Sequence, residues 1–139
     1  MEERGELYVL VKTRDLLGYI TQVTSKSPKI YRFTYVDRMI HLAMDALTLL
    51  FEANEIRITK GNWEKRGGER VDLQRSSISK LRTLAYFAMI AQEGELNVIT
   101  NKQYLQISHR VDECIKLAQG WLKNDSKRMS EYLHSENKK

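Results

Sequence analysis

The sequence predicts an all-α protein folded as an antiparallel up-down four-helix bundle. Three observations predict it. Apolar residues recur at spacings of three and four along four long segments, the period of one helix face. No stretch shows the strict alternation of a half-buried strand. The single proline, Pro28, and most of the seven glycines fall between these segments, where such residues punctuate a chain.

The first helix is expected over residues 7–24. Val9, Leu16, Ile20 and Val23 share one side, joined by Leu10 and Leu17. Ser25 to Lys29 ends it, because Pro28 disfavours helix at the residue before it. The second is expected over 35–58, with Thr34 and Asp37 spaced as a capping box. Ile40, Ala43, Leu47 and Leu50 form one apolar stripe, and Met39, Leu42, Ala46, Leu49 and Ala53 form another beside it. The third is expected over 72–92 on Ile78, Leu81, Leu84, Ala85, Ala88 and Ala91; from Leu84 to Ala91 every residue is apolar or Tyr. The fourth is expected over 100–124, opened by a second capping box at Thr100 and Gln103. Tyr104, Ile107, Val111, Cys114, Ala118 and Trp121 then follow a near-heptad spacing. Residues 126–139 are polar and are expected to be a frayed, disordered tail.

Bundle packing requires an apolar stripe of only about 100° per helix. Helices two and three exceed it. Surplus apolar surface marks an association face, so Met39, Leu42, Ala46, Leu49, Tyr86, Phe87 and Ile90 are the expected homo-oligomer interface. The alternative is that both helices lie deeper within one monomer.

A chain of 139 residues suits a single domain. One cysteine excludes an intramolecular disulfide and fits a reducing compartment. Met1 to Glu6 is charged with no apolar run after it, so no signal peptide is expected, and no segment is apolar enough to span a bilayer. A cytoplasmic protein with no membrane partner is therefore expected.

The charge is unevenly placed. Between Arg57 and Arg82 eight cations face three carboxylates, a local excess of five that equals the net charge of the whole chain. A local basic patch is the footprint of a polyanion; the plainer reading is a solvated basic segment. Residues 60–70, Lys-Gly-Asn-Trp-Glu-Lys-Arg-Gly-Gly-Glu-Arg, mix cations, glycines and one Trp. In an up-down bundle this connection lies at the same end as the N-terminus and the end of helix four. Arg57, Lys60, Lys65, Arg66, Arg70 and Arg75 are thus joined at one pole by Arg4, Lys123, Lys127 and Arg128. Such side chains fix phosphate position without reading sequence. Trp63 either stacks on an unpaired base or plugs the end of the bundle.

Catalytic and metal-binding constellations are not evident. His41 lies between Asp37 and Asp45 on one helix face, an incomplete metal set; His109 has no supporting nucleophile, and His134 lies in the tail. Cys114 falls on an apolar face, where a thiol acts as a small hydrophobe. Gly67-Gly68 matches no phosphate-loop spacing. No enzyme activity, cofactor or metal is expected. A second class of function, a protein–protein adaptor docking an acidic partner through the same pole, stays open at this stage.

Ser27-Pro-Lys-Ile-Tyr-Arg-Phe-Thr34 leads into a long apolar helix that closes on Glu52-Ala-Asn-Glu55. Lys102-Gln-Tyr-Leu-Gln-Ile-Ser-His109 leads to Gly120-Trp-Leu-Lys123. Over residues 7–125 this pattern resembles the Avd-like four-helix-bundle family, the accessory variability determinants of diversity-generating retroelements. That family is related to four-helix proteins encoded in intervening sequences of ribosomal RNA genes. The resemblance implies a bacterial or phage-encoded, non-enzymatic accessory protein that forms a pentameric ring. It implies binding to nucleic acid (RNA, DNA or a hybrid) and to a reverse transcriptase, in support of mutagenic reverse transcription. The chain departs from its relatives in Gln119-Gly120-Trp121, where they often carry Gly-Gly-Trp. It also lacks a basic residue from Leu84 to Ala91 and has a longer connection at 61–70.

Overall fold

A computed structural model describes the backbone of residues 2–137 and the side chains of residues 8–137. Among the described residues there are four long helices and no strand: α1 (Glu2–Thr24), α2 (Asp37–Glu55), α3 (Gly68–Ala91) and α4 (Asn101–Asn137). They pack around a shared core. α2 lies against α1 and α3, and α4 against α3 and α1. No helix is long and apolar enough to cross a membrane.

Each helix forms where its apolar spacing places it, and the ends differ in instructive ways. In α1, Val9, Thr13, Leu16, Ile20 and Thr24 are all buried, at steps of three and four. The two threonines are tolerated inside because each hydroxyl donates back into its own helix, Thr13 to Val9 O at 2.8 Å and Thr24 to Ile20 O at 2.6 Å. The capping box at the start of α4 forms as expected. Gln103 N donates to Thr100 Oγ1 at 3.1 Å, and Thr100 N donates to Gln103 Oε1 at 2.9 Å.

The box expected at Thr34 does not form. A 3-10 turn at Lys29–Tyr31 and a π-turn at Arg32–Val36 precede α2. The backbone is therefore already helical at Thr34, whose hydroxyl donates to Tyr31 O at 3.3 Å. A cap needs a non-helical residue at that place. A second π-turn, Trp63–Gly67, runs into α3, so much of the segment expected to be an open basic loop is helical. The tail expected to be disordered continues α4 to Asn137, making it 37 residues and about 55 Å long.

The core has two parts. Leu16, Ile20, Met39, Ala43, Leu81, Leu84, Ala88, Ile107, Val111 and Cys114 fill one. Val9, Leu50, Ala53, Ile78, Ala118 and Trp121 fill the other. Leu84 is fully buried, and truncating such a side chain to Ala costs on the order of 2–5 kcal/mol. Burial also corrects the expected association face. Met39 and Ala46 are 0 % exposed and Leu42 is 5 % exposed: they belong to the monomer core, because α2 has a neighbour on two sides. Leu49, Phe87 and Ile90 are half-buried, and Tyr86 is 54 % exposed.

Candidate nucleic-acid interface

The 56–62 connection between α2 and the π-turn is ordered by one side chain. Asn62 Oδ1 accepts from Thr59 N at 2.6 Å, Asn62 Nδ2 donates to Arg57 O at 2.9 Å, and Asn62 O accepts from Arg66 N at 2.9 Å. These bonds from side chain and main chain of Asn62 compensate for the missing regular structure. The π-turn then lies against the far half of α4. Trp63 Nε1 donates to Glu136 Oε1 at 2.9 Å. Gly67 lets the turn approach α4 closely: a Cβ there would sit 2.9 Å from Met129 Sδ, so the Met129 side chain would have to shift.

The cations of this region divide into an inner and an outer set. Arg70 is 3 % exposed. Its Nε donates to Asp125 Oδ2 at 2.7 Å, its Nη2 to Asp125 Oδ1 at 3.3 Å and its Nη1 to Ile56 O at 2.7 Å. The guanidinium lies 4.9 Å from the ring centre of Trp121, within cation–π range. Gln74 Nε2 donates to Asp125 Oδ2 at 2.6 Å. Arg128 donates from Nη1 to Asp125 Oδ1 at 3.3 Å and from Nη2 to Ile58 O at 3.1 Å. Arg70 was expected to touch phosphate; its place in the buried network corrects that. Arg128, half-buried, is largely committed to the same network. A buried guanidinium needs a carboxylate and further acceptors to offset its desolvation, and these contacts meet that need while tying α3, α4 and the connection together.

The outer set is Arg57, Lys60, Lys65 and Arg66 on the connection and π-turn, with Lys123 and Lys127 on α4; all are exposed. Arg66 pairs with Glu69 at 2.7 Å, both about half-exposed, an interaction of little stabilising value. Trp63 is half-buried and held by Glu136, so it braces the turn against α4. Arg75 lies farther along α3, exposed and loosely paired with Asp72 at 3.7 Å. Arg4 lies outside the residues whose side chains are described. Leaving aside Arg70, Arg128 and Asp125 of the buried network, residues 57–69 and 123–136 carry six Lys and Arg against four carboxylates. The structure thus brings the connection and the α4 end together, with a net positive outer surface.

Two features were not foreseen, one at this pole and one away from it. Asp125 falls at the core position four residues after Trp121, where the near-heptad of α4 continues; that spacing was the available signal for a buried acid. A second basic area occurs on the α1–α2 connection. Lys26, Lys29 and Arg32 are exposed there beside Ile30 and Phe33, which are 80 % and 84 % exposed.

The histidines lie at the surface. His109 Nε2 is 2.9 Å from Glu113 Oε1 and largely exposed; His41, on α2, and His134, now within α4, are exposed too. Among the described residues no group of three His, Cys, Asp or Glu is placed to hold a metal ion. Cys114 is 1 % exposed, and loss of solvation pushes its thiol up to about 11. It is a buried thiol, not an activated nucleophile.

No protein family, no curated protein and no solved structure matches the chain.

Proposed function

We propose that this chain is a non-enzymatic accessory protein that binds nucleic acid through the outer cations of the 56–67 connection and the far half of α4. As the resemblance to the Avd-like family implies, its protein partner is a reverse transcriptase engaged in mutagenic copying. In this reading the helices run up and down in antiparallel order, and copies associate into a ring, pentameric in that family.

The observation that carries the reading is the separation of the basic residues. Arg70 and Arg128 hold the connection in place, while Arg57, Lys60, Lys65, Arg66, Lys123 and Lys127 remain on the outside of a braced surface. Cations on an ordered backbone lose less freedom on meeting phosphate than cations on a free loop. The antiparallel order is supported by which connections meet. Ser27 Oγ donates to Val98 O at 2.7 Å, joining the α1–α2 and α3–α4 connections, whereas Ile56 and Ile58 meet side chains from α3 and α4.

The test is a fluorescence-anisotropy titration of labelled single-stranded RNA and duplex DNA at two salt concentrations. The expected log affinity falls linearly with log salt, by about 0.7 per phosphate contacted on a single strand. Salt-independent affinity, or none at low salt, contradicts the reading and leaves the pole as a docking surface for an acidic protein.

A further inference from the structure

The outer faces of α2 and α3 carry opposite charge in the same spacing. On α2 no Lys or Arg occurs between Arg38 and Arg57. Asp45 and Glu52 are exposed, seven residues apart, each next to an exposed apolar residue, Met44 at 44 % and Phe51 at 56 %. On α3 no Asp or Glu occurs between Asp72 and Glu93. Arg75 and Arg82 are exposed, again seven apart, and Tyr86 and Met89, 54 % and 41 % exposed, continue the same face. Seven residues are two helical turns, an advance of about 10.5 Å on either helix. Two such faces laid side by side let both charge pairs meet at once.

We infer that the occupant of these faces is a second copy of this chain, the α2 face of one copy seated on the α3 face of another. The inference rests on the self-association in the proposed reading and names the surfaces that carry it. It keeps only Tyr86 of the face expected from the sequence, whose Met39, Leu42 and Ala46 are core residues. The match decides for a second copy: a foreign partner would have to supply this charge pattern, whereas the chain already carries both halves. Asp72, loosely held by Arg75 at 3.7 Å with both side chains mostly exposed, is readily exchanged for a carboxylate of the second copy. Charges at such an interface fix register and exclude wrong pairings. The apolar side chains contribute the area.

The experiment uses light scattering and sedimentation on the full chain over a concentration series, with circular dichroism to establish folding. Four proteins are compared: the wild type, Asp45→Arg with Glu52→Arg, Arg75→Glu with Arg82→Glu, and the variant carrying all four changes. The wild type is expected to self-associate. Each double variant sets like charge against like and is expected to associate about a hundredfold more weakly or worse. The fourfold variant exchanges the two signs and is expected to recover self-association. A wild type that stays monomeric overturns this inference together with the self-association reading. A wild type that associates while both double variants associate equally well overturns only the inference and leaves self-association through another face. Double variants that dissociate without recovery in the fourfold variant also overturn it.

Discussion

Arg70 and Lys65 belong to one basic stretch, yet they differ in kind. Arg70 is inside, held by Asp125 and by the carbonyl of Ile56; Lys65 is outside on the π-turn. A net charge counts them equally. The structure separates a cation that holds the pole together from one that the pole presents to solvent, and only the second is available to a polyanion. The difference teaches that a basic segment has to be divided by burial before it is read as a binding surface.

The comparison is broken most forcefully at the inner residue. Arg70→Met leaves the Asp125 carboxylate buried with a major partner gone and is expected to destabilise the protein by about 3–5 kcal/mol, read from urea unfolding. A loss under about 1 kcal/mol would show that Asp125 re-solvates and that the network is not what fastens the connection. At the outer residues the effect moves from stability to binding. Lys60→Glu with Lys65→Glu is expected to leave the unfolding free energy within about 0.5 kcal/mol of wild type. It is expected to weaken RNA binding by about tenfold or more and to make the salt dependence shallower.

Two adjacent glycines sharpen the same boundary. Gly67 faces Met129, whereas a Cβ on Gly68 meets nothing within 4 Å. Both have helical backbone angles. Gly68→Ala is therefore expected to stabilise by about 0.5–1 kcal/mol. Gly67→Ala must displace the Met129 side chain from the turn and is expected to destabilise by about 1 kcal/mol. Opposite shifts in melting temperature would establish that the turn rests on α4. A pH-dependent effect belongs to Cys114. Its thiol is pushed up from 9.0 to about 11 by burial. Its contribution to stability is thus full below pH 9 and is lost as pH rises toward 11, because only the unfolded thiol ionises in that window. The measurement is the pH dependence of unfolding for wild type against Cys114→Ala, which is expected to lack this decline.

Much of the fold was legible because it rests on local rules. The helix-spaced stripes located all four helices, and the Thr100–Gln103 box formed as its residues required. The errors arose where tertiary contacts override local preference. Nothing local says that Thr34 follows a turn already wound into a helix. Residues 126–137 read as a polar tail, yet Met129 under Gly67 and Glu136 on Trp63 engage that stretch of α4. Met39, Leu42 and Ala46 looked like surplus on α2 because a sequence does not reveal how many neighbours a helix has. That the basic connection meets the end of α4 was legible, but the buried fate of Arg70 was not. It depends on Asp125, 55 residues away.

On the proposed reading, position and not total charge sets nucleic-acid binding at the pole. This is tested most directly by two variants of equal charge change in one RNA anisotropy titration at low salt. Lys60→Glu with Lys65→Glu alters the pole; Lys29→Glu with Arg32→Glu alters the exposed basic area on the α1–α2 connection. The account predicts that the pole variant loses about tenfold or more in affinity while the other variant stays within about threefold of wild type. Equal losses in both would contradict it.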